Sequence, residues 1–195
     1  MTHLENVSVE SNFSYGAFLY DAVVSHCQFL QNGQWGLLVN HTGTVTDSRA
    51  SGNAQWGIYA VARSIVADCL VDGNGPGTVD GSGITIGAYG TARNNNVVGN
   101  HGHGNAIYDH VLVIGNHITQ SDINGIQTLG GGGSRIEGNS VDANSIGIVS
   151  QSGGNVIIRN TMTGNFAGGS FVTGTGNVFP VETGTANNPN SNVNY

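Results

Sequence analysis

The chain is 195 residues long, with a formal net charge of −7 and only 9% charged residues. All five basic side chains other than histidine are arginine, which excludes the positive surface that a nucleic-acid backbone requires. No apolar run reaches the ~20 residues of a membrane-spanning helix, and the opening THLENVSVES lacks the basic start and apolar core of a signal peptide.

In chain order, one phrase recurs. Asn-x-x-x-Gly stands at Asn12/Gly16, Asn32/Gly36, Asn53/Gly57, Asn100/Gly104 and Asn165/Gly169. Asn74 with Gly83, Ser121 with Gly125 and Asn144 with Gly147 fill the gaps, so that the anchors advance by 20 to 26 residues. A period of this size marks a repeat architecture. Leucine-rich repeats would need an L-x-x-L-x-L core, and tetratricopeptide or ankyrin units are longer and helical. A chain with 32 glycines and many asparagines supports neither.

Equivalent positions define the elements. Eight residues before the anchors stand Val24, Val45, Val66, Ala92, Val113, Ile136 and Ile157. Three before them stand Val9, Phe29, Ala50, Val71, Val97, Ile118, Val141 and Met162. After the glycine come alternating pairs such as Leu37/Val39, Ile58/Ala60 and Ile84/Ile86. This pattern predicts three short strands per coil, with like residues stacked at the ~4.8 Å spacing of neighbouring strands. The anchor asparagine is expected at a left-handed turn, and the glycine at a second strained or closely packed point. The expected fold is all-β: a parallel β-helix of about eight coils over residues 1–178. Pro180 breaks the repeat, leaving 179–195 as a C-terminal tail or cap.

The repeating N-x-V-x-x-N-x-x-x-G-I phrase resembles the right-handed parallel β-helix of the pectin-lyase-like superfamily, from Val7 to Val178. Lyases, hydrolases, epimerases, phage tailspikes and adhesins share that fold, so the resemblance implies an architecture and no single activity. Because the repeat is already running at Val7, the chain is expected to be part of a larger exported protein, extracellular or at the cell surface.

Five residues before the anchors the column reads Val7, Cys27, Ser48, Cys69, Asn95, Asn116, Asn139, Asn160. The last four resemble the asparagine ladders of β-helix proteins. Cys27 and Cys69 lie two coils apart, which implies a Cα separation of about 9–10 Å against the ~7 Å limit for a disulfide. Two free, buried thiols are expected.

Outward positions supply the candidates for function. Tyr15, Trp35 and Trp56 precede the glycine in three consecutive coils, with Gln34 and Gln55 beside them. Such a row offers glycan contact by ring stacking and hydroxyl hydrogen bonds; alternatively, the three rings pack on one another. A second row holds His26, Asp47 and Asp68, with Arg49 and Asp72 nearby and the insertion 72–81 following. Its carboxylates are candidates for Ca²⁺ or for acid–base chemistry, or form a solvated acidic edge.

Gly102-His103-Gly104 follows Asp80 by one coil, similar to polygalacturonases. That family's second aspartate, its Asn-Thr-Asp and its Arg-Ile-Lys are missing here. Asp80 alone matches, where inverting hydrolysis needs two carboxyls. Tyr108-Asp109-His110 matches an alginate-epimerase motif only in composition. The residues to test for catalysis are Asp47, Asp68, Asp72, Asp80 and His103. A final row, Phe18, Leu38, Tyr59, Ile107, Val149 and Phe171, is expected to point outward, toward a second copy or a neighbouring domain.

Three functions follow in order. The first is a polysaccharide-recognising module, the partial or non-catalytic portion of a carbohydrate-active protein; the second is an active lyase, epimerase or hydrolase on acidic glycans. The third is an oligomeric spike or adhesive segment.

Overall fold

The computed structural model describes residues 1–76, 81–172, 175, 177, 180–183 and 191–194. All pairing among these residues is parallel, and each strand lies beside its equivalent one coil away. The result is a parallel β-helix of about eight coils.

Three faces wrap the core. The first carries the strands that follow the repeat glycine, including Ile58–Ala60, Ile84–Ile86, Asn105–Ile107, Asn124–Thr128 and Ile146–Ser150. The second carries Ile65–Ala67, Thr91–Arg93, Leu112–Ile114, Arg135–Glu137 and Val156–Ile158. The long strands Ala17–Ser25 and Leu37–Thr46 run through both faces and join them into one 14-stranded sheet. The third face is a separate 10-stranded sheet that begins at Ser8–Glu10 and Gln28–Leu30. At its far end Asn192–Asn194 pairs with Thr161–Thr163, and Val181–Thr183 pairs with Asn192–Asn194. Residues 178, 179, 184–190 and 195 of the expected boundary and tail lie outside the described residues.

The expected columns are the observed ones. Val24, Val45, Val66, Ala92, Val113, Ile136 and Ile157 are in register from coil to coil and fully buried. Cys27 and Cys69 are buried free thiols. Burial pushes the Cys69 thiol up to about 12.

One local expectation is corrected, and another is decided between its alternatives. The left-handed residue is the one before each anchor, for example Ser11, Gln31, Gly52 and Gly73. The anchor asparagines themselves turn inward and form a second ladder. Nδ2 of Asn12, Asn32, Asn53 and Asn74 each donates to Oδ1 of the next asparagine at 2.8–3.0 Å, ending at Asn100. The expected ladder is present as well, from Asn95 through Asn116, Asn139 and Asn160, and Asn192 extends it. The repeat glycine answers to close packing and not to φ. A Cβ on Gly57 would stand 2.7 Å from the Gly83 carbonyl oxygen and 2.8 Å from Asn74 Nδ2.

The outward row also differs. Ile107 is in register with Ile86 and faces the core, fully buried; Ala106 takes the outward place. Asn105 therefore points inward, between Ile84 and Ile126. No residue is inserted or lost; Asn simply replaces Ile in a core column. The outward row reads Phe18, Leu38, Tyr59, Thr85, Ala106, Gln127 and Val149, polar or small at its centre. Leu38 and Val149 are only 8% and 4% exposed, so the continuous apolar stripe expected for a partner is absent from these residues. The side chain of Phe171 lies outside the described residues.

Candidate functional site

Coil stacking decides which candidate residues meet. Backbone hydrogen bonds run from Gly16 N–H to Trp35 O, Gly36 N–H to Trp56 O, Gly57 N–H to Ser82 O and Gly83 N–H to His103 O. The column that begins Tyr15, Trp35, Trp56 therefore continues as Ser82 and His103. Each member sits at the corner that leads into the first face, directly before the closely packed glycine.

The aromatic rings pack on one another and do not form a flat platform. Trp35 and Trp56 meet edge to face at 5.2 Å and 89°, and Tyr15 is tilted on Trp35 at 5.0 Å. Tyr59, from the adjacent outward row, packs against both tryptophans. Phe18 and Tyr20 extend the cluster toward the first coil, where both are largely exposed. Trp35 Nε1–H donates to Gln55 Oε1 at 2.7 Å, and the Ser14 hydroxyl donates to Gln34 Oε1 at 3.3 Å. Gln55 thus holds the edge of the Trp35 ring in place, while Gln34 is tied to the coil before it.

Beyond Trp56 the bulk stops. Ser82, Thr85 and Ala106 replace the large side chains, and the surface drops into a pit of about 220 Å³. Trp56, Tyr59, Tyr108 and Leu129 form its walls. The Tyr59 phenol lies beside that of Tyr108; burial, then the Tyr108 neighbour, raises it above its usual value. Thr85 is 3% exposed, and its buried hydroxyl has no hydrogen-bond partner among the described residues. The pit abuts the insertion, whose residues 77–80, including the candidate Asp80, lie outside the described residues.

The carboxylate row lies at a different corner. His26, Asp47 and Asp68 stack in three coils through His26 N–H to Thr46 O, Asp47 N–H to Ala67 O and Asp68 N–H to Arg93 O. They line an open groove of about 480 Å³ with Gln28, Ser48 and Arg49. Arg93 reaches Asp68 at 3.5 Å. Asp72 faces outward from the third sheet, held by Arg49 at 3.1 Å and by the Ser51 hydroxyl at 2.8 Å. Its carboxylate is thus committed to an ion pair. Among the described residues, no group of three or more His, Cys, Asp or Glu side chains could hold a metal ion. The candidates for catalysis are therefore divided: His103 belongs to the aromatic column, while Asp47, Asp68 and Asp72 lie elsewhere.

Sequence reasoning found the aromatic column and missed the pit. Thr85, Ala106 and Leu129 carry no motif. Their signal is the change from Trp and Tyr to Ser, Thr and Ala at equivalent outward positions, visible only once the columns are in register. Tyr108 was noticed for its neighbours Asp109 and His110. In the structure His110 stacks on Tyr89 at 4.9 Å, and Asp109 accepts a hydrogen bond from Gly131 N–H. Only Tyr108 of the three lines the pit.

Known structures share the architecture. The A-module of the Azotobacter vinelandii mannuronan C-5 epimerase AlgE4 superposes with a TM-score of 0.73 at 19% identity, over 90% of this chain and 57% of that one. Pectate lyase Pel9A gives 0.68 at 14% identity, over 81% and 50%. The Dettilon tailspike protein gives 0.68 at 18% identity, over 92% and 42%. The chain thus spans about half the length of these structures, and at such identities the likeness is one of fold. No curated protein matches the chain. The family model, by contrast, matches residues 15–194, nearly the whole repeat, and the chain belongs to the family described as periplasmic copper-binding protein (NosD).

Proposed function

We propose that the chain is a polysaccharide-recognising β-helix module of an exported protein, acting in the periplasm or outside the cell. The observation that carries this reading is the aromatic corner that ends in a hydroxyl-lined pit. Aromatic faces stack on the apolar faces of sugar rings, and hydroxyl and amide groups bond their rims. The titles of the similar structures name a mannuronan epimerase, a pectate lyase and a tailspike, which is in keeping with a glycan ligand. The family's description, with its periplasmic setting, is in keeping with export.

Catalysis is not part of the proposal. General acid–base chemistry needs two titratable groups within reach of one bond. Asp47 and Asp68 stand at another corner from His103, and Asp72 is ion-paired.

The donor set does not fit the copper of the family's description. Copper sites draw on converging imidazole, thiolate or thioether ligands, and every His and Cys of the chain is a described residue. His41, His101 and His117 are each joined to a single aspartate of a neighbouring coil, Asp21, Asp122 and Asp142. Cys27 and Cys69 point their thiols at the Ser25 and Ala67 carbonyls, and Met162 is fully buried. No step involving copper is assigned to these residues.

The test is a Trp35→Ala, Trp56→Ala double variant on a panel of neutral and acidic glycans. Binding should fall by at least about tenfold, roughly 1.4 kcal/mol, as expected for lost aromatic stacking. Circular dichroism should show the β-helix intact. Unchanged retention of every glycan that the wild type binds ends the proposal.

A further inference from the structure

The charge around the pit points to the class of sugar. This inference rests on the glycan reading above and narrows it. Trp56, Tyr59, Ser82, Thr85, Ala106, Tyr108 and Leu129 present ring faces, hydroxyls and two aliphatic side chains; among the described residues, no charged group lines the pit. The buried, unpartnered Thr85 hydroxyl lies in its lining, able both to donate and to accept. Leaving such a group unsatisfied is costly, and a χ1 rotation toward the pit would bring it to a sugar hydroxyl.

The cations are all elsewhere. The chain has five arginines and no lysine. Arg49 is bound to Asp72 on the third face. Arg93 holds Asp68, and Arg135 and Arg159 share Glu137 on the second face. Arg63 lines a separate depression beside Ala22, Thr44 and Ile65. Residues 77–80, outside the described residues, read Gly-Thr-Val-Asp and include no basic side chain. A bound uronate would bring its carboxylate to an uncharged pit on a molecule of net charge −7. It would lose water there and gain no counter-charge. His103, in the same column, is the nearest approach to a base that the described corner offers.

We propose that the pit takes a neutral sugar ring and discriminates against uronates, unlike the polyuronides named in the titles of two similar structures. At about 220 Å³ it is smaller than the ~300–1,000 Å³ of pockets that enclose a drug-sized ligand. It seats one ring of a chain.

The experiment uses matched polymers: mannuronan and polygalacturonan oligomers, the same oligomers after reduction of their carboxyls to primary alcohols, and native neutral gluco-, galacto- and manno-oligosaccharides. Calorimetry at neutral pH should find a neutral ligand that the chain binds. Of the matched pairs, the reduced form should bind at least about tenfold more tightly than its uronate, because like charges and unpaired charges are excluded. Salt should narrow that gap. Thr85→Val should weaken the neutral ligand, and Leu129→Arg, at an exposed wall position, should raise uronate binding. His103→Gln should leave the preference in place. A uronate that binds as well as its reduced partner overturns the inference and leaves the glycan reading standing. Failure of every glycan, neutral and acidic, removes both.

Discussion

The two halves of the solenoid are stapled at different corners. From Asn12 to Asn100 the anchor column forms an unbroken amide ladder, while the corner five residues earlier holds Cys27, Ser48 and Cys69. From Asn95 to Asn192 the situation reverses. The earlier corner carries the ladder, and the anchor ladder is interrupted at Ser121, whose buried hydroxyl has no partner among the described residues. A third corner joins in only here, with Ser134 and Asn155 each accepting a backbone N–H of the coil before it. The handover falls in the single coil that contains both Asn95 and Asn100.

Each corner poses the same problem. A left-handed residue is followed by one whose backbone N–H points to the next coil and needs an acceptor there. Asparagine supplies that acceptor and returns its amide hydrogens to carbonyls of the previous coil and its own. Serine supplies the acceptor and a single donor, as Ser48 accepts from Cys27 N–H and donates to the Thr46 carbonyl. The N-terminal half has fewer such bonds and gains cohesion outside, from the packed rings of Tyr15, Trp35, Trp56 and Tyr59. Each aromatic pair contributes ~0.5–1.5 kcal/mol beyond its buried area.

The largest expected effect breaks the C-terminal ladder. Asn116→Leu would deprive the Asn95 N–H of its acceptor and the Ala92 carbonyl of a donor. A loss of roughly 3 kcal/mol or more is expected in equilibrium denaturation, at ~1–3 kcal/mol per orphaned buried group. A loss below about 1 kcal/mol would show that the ladder is ornamental.

The next effect separates the sulfur corner from the amide corner by pH. The folded Cys69 thiol titrates near 12 against the usual 9.0, so above pH 9 the unfolded chain carries fewer protons than the folded one. Stability from this group is complete below pH 9 and is lost as pH rises toward 12, by roughly 1.4 kcal/mol per pH unit at most. Alkaline denaturation of the wild type should therefore be steeper than that of Cys69→Ser. Coincident curves would place the thiol outside the cooperative unit.

The smallest effect sharpens the comparison by moving the amide off the corner. Asn105 opens its strand between Ile84 and Ile126, fully buried, with neither Oδ1 nor Nδ2 bonded among the described residues. Asn105→Ile should raise stability by about 1–2 kcal/mol, because it removes two unsatisfied groups and completes an apolar column. A destabilised variant would mean that the amide has a partner in solution.

What was legible in the sequence follows the same division. Core columns such as Val45 over Val66 were readable because each coil imposes one geometry and one polarity on an inward position. Asn105 misled for that reason: an amide in an isoleucine place looks like a slip in register, and Ile107 was turned outward with it. The role of the anchor was half legible. Its recurrence pointed to a corner, yet the left-handed strain falls on Gln31 or Gly52, residues of no fixed type, and the asparagine turns inward to bond. Outward positions repeat nothing, since water accepts almost any side chain there. Trp35 and Trp56 drew notice by size, while the pit beside them is made of what Ser82, Thr85 and Ala106 lack.

Parallel pairing to the adjacent coil alone also makes the rod's length adjustable. Residues 33–53 form one full period, and their removal would join Asn32 to Ala54 with Gln55, Trp56 and Gly57 next in line. Val24 would then rest on Val66, and Asn12 would still find an asparagine one level away. Such a molecule differs from its parent by one storey, a kind of change that a globular core with contacts in every direction does not permit.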